Sequence, residues 1–192
     1  MVAPSLTSIG NYGFQSSRIR SIDAPLLTTI GSNAFQFCYW FGGGYFPEVT
    51  TINGSAFYND GTECDECIFV FPKVTTLSAS AFRQIRGKTV GAIVDLGEGV
   101  SSLPNYTFYN SGKAIQILIL RKSDTVVTTT SSNSIGSISA TETTVYVPSA
   151  LISEYTQATN WSTKGSIFQA IEGSIYETQY ADGTPIETGG DS

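Results

Sequence analysis

The chain has no histidine. Ser-His-Asp and Cys-His nucleophile systems, imidazole metal sites and histidine acid–base catalysis are therefore excluded. Charge is scarce as well: Asp, Glu, Lys and Arg make up 14% of 192 residues, well under the usual share of about a quarter. Three cysteines are too few for a four-thiolate zinc site. No apolar run approaches the roughly 18 residues of a membrane-crossing helix, so no membrane insertion is expected. The net charge of −6 is lopsided. Residues 1–171 hold ten basic and eleven acidic side chains; Glu172, Glu177, Asp182, Glu187 and Asp191 follow, with no basic residue after Lys164. A nearly neutral body offers a phosphate backbone little, which argues against nucleic acid as a partner.

What is present is a repeat. Phenylalanine returns at Phe14, Phe35, Phe57, Phe82 and Phe108, spaced by 21, 22, 25 and 26 residues. Eight residues earlier stands Leu6, Leu27, Val49, Val74 or Val100, and five earlier Ile9, Ile30, Ile52, Leu77 or Leu103. A small residue immediately precedes each Phe: Gly13, Ala34, Ala56, Ala81, Thr107. A constant motif with variable spacers is the signature of a solenoid. Each coil is too small to bury its own apolar face, so neighbours stack and share one core.

Between motifs lie β-prone runs that end in a breaker, such as Ile68-Phe69-Val70-Phe71-Pro72, Ile93-Val94-Asp95-Leu96-Gly97 and Thr144-Val145-Tyr146-Val147-Pro148. Strand alternation sends Ile22/Ala24, Phe69/Phe71, Val94/Leu96, Leu118/Leu120 and Val145/Val147 inward. The intervening residues, Val2, Asp23, Tyr45, Val70, Asp95, Ile119 and Tyr146, form an outward stripe on the sheet face. The Thr-Thr-Ile or Thr-Thr-Leu segments begin a second set of short strands. Val127 and Ile135 keep the eight-residue spacing through a Ser/Thr-rich stretch, so a sixth, degenerate repeat is expected there with Ile135 in the Phe slot.

The predicted organisation is one domain over 1–173, with repeats near 6–25, 27–47, 49–72, 74–97, 100–121 and 127–148. A C-terminal cap follows at 149–173: a helix from Ser149 to about Ala158, then Trp161 and a strand at 167–171. Residues 174–192 read as an acidic mobile tail. At the other end, Met1-Val2-Ala3-Pro4 already looks like the close of a repeat strand. A longer N-terminal part is therefore expected, with any signal peptide removed or outside this sequence.

The run Leu27-Thr28-Thr29-Ile30-Gly31-Ser32-Asn33-Ala34-Phe35-Gln36-Phe37-Cys38 resembles the BspA-type leucine-rich repeat, V-x-x-I-G-x-x-A-F-x-x-C. Residues 145–171 are similar to the ending common in that family. The resemblance implies a leucine-rich-repeat solenoid: a right-handed β/α superhelix, β-rich with short turns and 3-10 segments, of about six coils with a helix–strand cap. It further implies secretion or display at the surface of host-associated bacteria, with adhesion to host matrix or neighbouring cells in some members and no catalytic residues.

Two local features carry candidate chemistry. The second repeat packs Phe35, Phe37, Tyr39, Trp40, Phe41, Tyr45 and Phe46 into twelve residues. One coil cannot bury so many rings, so a contact patch is expected at Tyr39, Trp40, Phe41 and Tyr45. The outward stripe (Asp23, Val70, Asp95, Ile119, Tyr146) is a second candidate surface. The pair Cys64 and Cys67 is a weak C-x-x-C signal, read as loop cysteines that an oxidising compartment would join in a disulfide. Asp60, Glu63, Asp65 and Glu66 in the same loop face Arg83, Arg86 and Lys88 of the next coil, which predicts inter-coil ion pairs in place of a metal site. Gly87-Lys88-Thr89 imitates the end of a P-loop, but the Gly that motif requires is Phe82, a core position. No cofactor and no metal is expected. The leading reading is a non-catalytic, extracellular or cell-surface adhesion module for a protein or glycan, acting as a monomer or within a longer chain. A structural spacer within a larger surface protein is the alternative, and a carbohydrate-active enzyme using a carboxylate pair is a third reading.

Overall fold

The fold follows from the repeat register. The computed structural model describes residues 1–65, 67–109 and 115–180. Six parallel strands, in spatial order Gly43–Tyr45, Ile68–Phe71, Ala92–Leu96, Ile115–Leu120, Thr144–Val147 and Phe168–Ala170, form one sheet. A parallel bridge from Val2 to Asp23 carries the same pairing into the first coil. The Thr-Thr-Ile and Thr-Thr-Leu segments form a second parallel ladder: Ser8–Ile9, Thr29–Ile30, Thr51–Ile52 and Thr76–Leu77. Ser102–Leu103 pairs with Thr128–Thr129 in the same manner. The molecule is thus a parallel β-solenoid of about six turns.

The phenylalanines form the predicted column. Successive ring centroids lie 5.4, 5.3, 5.3 and 5.6 Å apart from Phe14 to Phe108, with interplanar angles of 16° or less. That spacing is slightly longer than the distance of about 4.8 Å between paired strands, so each coil contributes one stacked ring. Phe35, Phe57, Phe82 and Phe108 are fully buried, and Phe14 at the end of the stack is half-buried. The expected inward pairs, Ile22/Ala24 through Val145/Val147, all belong to this core. Ile135 occupies the sixth slot, and Val127 beside it is buried.

The small residue before each Phe has a steric cause. Ala34, Ala56, Ala81 and Thr107 are fully buried in a turn whose backbone bonds the next coil, through Phe14 N–H to Ala34 O and Phe35 N–H to Ala56 O. Residues two before and two after the Phe sit in the left-handed region: Tyr12, Asn33, Ser55, Ser80 and Tyr106, then Ser16, Phe37, Asn59 and Gln84. This pair of left-handed turns points N–H groups along the stack, as from Asn33 to Gly54 O and from Phe37 to Tyr58 O. A threonine ladder adds to the backbone bonds: the Thr28, Thr50 and Thr75 hydroxyls donate to the carbonyls of Thr7, Thr28 and Thr50.

After Pro148 the chain makes a 3-10 turn (Ser149–Leu151) and a short α-helix (Ile152–Tyr155). Tyr155 and Trp161 are fully buried and satisfy the backbone of the sixth coil: Val127 N–H donates to the Tyr155 hydroxyl, and the Trp161 indole donates to Val127 O. Burial pushes the Tyr155 phenol up to about 12, so it remains protonated at physiological pH. Residues 174–180, expected within the tail, are folded. The 3-10 turn Ile175–Glu177 places Tyr176 against the sheet, and Tyr176 and Tyr180 are both buried. The rest of the expected tail, 181–192, lies outside the described residues.

Candidate binding surfaces

The outward stripe is in register, with Tyr45 beside Val70, Val70 beside Asp95, Asp95 beside Ile119 and Ile119 beside Tyr146. It is nevertheless not an open face. Val70, Asp95 and Ile119 are 1% exposed or less. Together with Ile68, Ile93, Ile171, Tyr176 and Tyr180 the apolar members form a second hydrophobic cluster, against which Tyr45, Ile117 and Tyr146 are packed. The cover is the segment 171–180. Of the stripe residues expected to bind, Asp23 is exposed, Tyr146 is half-buried with its ring 4.7 Å from Tyr176, and Val70, Asp95 and Ile119 are withdrawn beneath the chain itself.

A buried ion pair anchors that cover. Arg121 Nη2 lies 2.7 Å from Asp95 Oδ2, and Nε donates to both carboxylate oxygens. The same Nη2 donates to the carbonyls of Tyr176 and Gln179, each at 3.0 Å. Burial pushes the Asp95 carboxyl up, and the Arg121 hydrogen bonds and charge pull against it. A cavity of about 360 Å³ beside the cover is lined in part by Glu98, Arg121 and Glu172. Its charged groups are largely engaged within the chain: Arg121 holds Asp95, and Glu172 accepts from the Ser149 N–H.

The aromatic patch divides. Phe41 is fully buried, its ring 4.4 Å from Phe35 and stacked on it, so it belongs to the core and not to a contact surface. Tyr45 is half-buried against the second cluster. Tyr39 is 37% exposed and Trp40 half-exposed, with the Arg18 guanidinium 5.5 Å from the Trp40 ring. Phe37 bridges Tyr39 and Tyr58, at 6.3 and 5.4 Å between centroids. The surface cluster is therefore Phe37, Tyr39, Trp40 and Tyr58, along the turn that follows each core Phe. Density of rings in the sequence located it, but alternation does not extend into left-handed turns and could not sort inward from outward rings.

The neighbouring loop also differs from expectation. Cys38 and Cys67 are buried and Cys64 is half-buried. Cys67 is fully buried, with its sulfur 3.6 Å from the carbonyls of Gly61 and Arg86. Lys88 and Glu63 make the expected inter-coil pair, loosely, at 3.7 Å. Glu66 lies outside the described residues. Asp60 makes no ion pair among the described residues. It is fully buried, its Oδ1 accepts from the Cys38 N–H, and its Oδ2 has no hydrogen-bond partner. Burial pushes its carboxyl well above the ordinary value. No group of three His, Cys, Asp or Glu side chains suited to a metal ion occurs among the described residues.

Stacked parallel coils sharing one inward column, Phe in five coils and Ile135 in the sixth, define a leucine-rich-repeat solenoid. The family model for the BspA type leucine rich repeat region matches residues 2–88, in six copies, and this stretch belongs to that family. No curated protein and no solved structure matches the chain. Beyond residue 88 the coils continue in the same sheets, through Ala92–Leu96, Ile115–Leu120 and Thr144–Val147.

Proposed function

We propose that this solenoid is a non-catalytic adhesion module, secreted or held at a cell surface, which docks a protein or glycan of a host or neighbouring cell. BspA-type repeats are typical of surface proteins and typically lack catalysis, and they cover residues 2–88. The observation that carries the reading is the ring cluster Phe37, Tyr39, Trp40 and Tyr58 with Arg18 over Trp40, left at the surface while the sheet face is closed by 171–180. Half-exposed aromatic side chains supply large contact area at low entropic cost, and they dominate binding energy at interfaces.

The test is a matrix-protein and glycan array probed with the module. For its best ligand, Tyr39→Ala with Trp40→Ala is expected to weaken binding at least about tenfold, a hot-spot effect of about 1.4 kcal/mol or more. Affinity unchanged by the double substitution would remove the patch from the interface. The first coil supports a second reading. Met1 and Val2 are 54% and 74% exposed there, and Leu6 and Phe14 only half-buried, an end suited to stacking against further coils in a structural spacer of a larger surface protein. A module with no ligand on the array, yet raising the stability of coils fused to that end, would favour the spacer.

A further inference from the structure

Arg83 stands in the position after Phe82, and the equivalent positions of the two flanking coils hold Tyr58 and Tyr109. Its guanidinium carbon is 5.5 Å from the Tyr58 ring, 5.7 Å from Tyr109 and 5.5 Å from Tyr106. Three rings from the two flanking coils thus box one cation. Tyr106 and Tyr109 meet edge to face at 4.9 Å, which fixes the far wall. Backbone bonds hold the box: Arg83 N–H donates to Ser80 O, Asn59 N–H to Arg83 O, and Gln84 N–H to Tyr109 O. Rings satisfy the charge of a guanidinium but accept none of its in-plane N–H groups. Arg83 Nε is buried without an acceptor, and among the described residues Arg83 makes no ion pair. Asp60, the carboxyl of the preceding turn, is turned into the core under Cys38.

We infer that Arg83, walled by Tyr58, Tyr106 and Tyr109, is a binding site for a carboxylated sugar, such as a uronic or sialic acid unit within a glycan. This rests on the adhesion reading and names the ligand class of the turn face. The planar fork of an unpaired arginine matches a carboxylate in two-point geometry. A single guanidinium enclosed by rings on a nearly neutral body suits one carboxylate per unit better than a dense polyanion, whose binding scales with the number of cations neutralised. The surroundings point to a polyol: besides the three phenols, the flanking turn positions carry Ser55, Asn59, Ser80, Gln84 and Asn105. Hydroxyl and amide groups pair with sugar hydroxyls, and tyrosine faces receive the C–H face of a pyranose ring.

The test uses the whole chain and four probe sets in titration calorimetry: oligogalacturonate, its methyl ester, a sialylated trisaccharide with its neutral core, and poly-glutamate. At least one acidic sugar is expected to bind, and its neutral or esterified partner at least about tenfold more weakly. Arg83→Lys, which keeps charge and loses the fork, is expected to lose about tenfold, and Arg83→Ala more. The wild-type comparison of acid with ester needs no variant, so a misfolded substitution leaves the test intact. Equal binding of acid and neutral forms, no binding by any acid, or tighter binding of poly-glutamate overturns the assignment. An array ligand whose affinity survives Arg83→Ala also overturns the site and leaves the adhesion reading standing. An acidic sugar that requires Arg83, with no response on the matrix-protein and glycan array, sustains the site and removes the adhesion reading.

Discussion

Asp60 shows how one side chain can depart from the pattern of its loop. The sequence places it among acids that face basic residues of the next coil, yet among the described residues only Glu63 takes a partner there, Lys88. The chain direction in the turn after Phe57 is set by Asn59 at φ 60°, a left-handed residue that strand alternation does not describe. Asp60 therefore faces inward and caps the Cys38 N–H at 2.9 Å. Burial raises its carboxyl far above the ordinary 3.8, so the folded chain holds this proton more tightly than the unfolded chain does. The stabilisation is complete below about pH 3.8 and is lost as pH rises through the folded value. Asp60→Asn keeps an acceptor for Cys38 and removes the titration. Thermal melting at pH 5 and pH 8 is expected to show the wild type losing more stability across that interval than the variant. Parallel curves would mean that Asp60 does not hold its proton in the fold.

The C-terminal segment carries the lesson at the scale of elements. In the sequence, residues 174–180 are Ser-Ile-Tyr-Glu-Thr-Gln-Tyr, with no strand alternation and two turn formers close behind at Asp182 and Gly183. Its packing depends on two tyrosines and on an arginine 55 residues away, and no local pattern encodes that. The stripe beneath it was legible as outward-pointing, which is correct, but outward from a sheet is not the same as exposed. The buried Asp95–Arg121 pair is the lock. Arg121→Ala strands Asp95, 1% exposed, without its counter-charge and removes both bonds to the segment. The expected loss is about 3–5 kcal/mol in urea denaturation, the cost of breaking a buried pair from one side. Hydrogen exchange at residues 174–180 is expected to accelerate with it. The double change Asp95→Leu with Arg121→Met removes both charges, and should recover most of that stability while leaving the segment loosely held. If Arg121→Ala left exchange at Tyr176 to Tyr180 unaltered, the ion pair would not be the anchor.

For the molecule as a whole, stacking means that each coil draws its stability from its two neighbours. The fold class was readable from the sequence because that neighbour relation repeats: one Phe, two aliphatics and a small residue return in register through five coils. Ends are different, since an end coil has one neighbour and its pattern is the same. Phe57 touches rings on both sides, Phe35 at 5.3 Å and Phe82 at 5.3 Å, as well as Phe69 and Phe71 of the sheet. Among the described residues Phe14 has Phe35 alone as a ring partner, at 5.4 Å, and is half-buried. Phe57→Ala opens a cavity in the middle of the column, with an expected cost of about 3–5 kcal/mol. Because it uncouples coils two and four, its denaturation curve should broaden or split. Phe14→Ala is expected to cost less than half as much and to release residues 1–20 alone. Exchange measured coil by coil distinguishes the two cases. In the wild type, protection should rise from the first coil inward, in Phe14→Ala only that first coil should lose it, and in Phe57→Ala the loss should spread to both sides. Equal protection of the first and fourth coils would contradict nearest-neighbour stabilisation, since the first coil would then need support that the described stack does not provide.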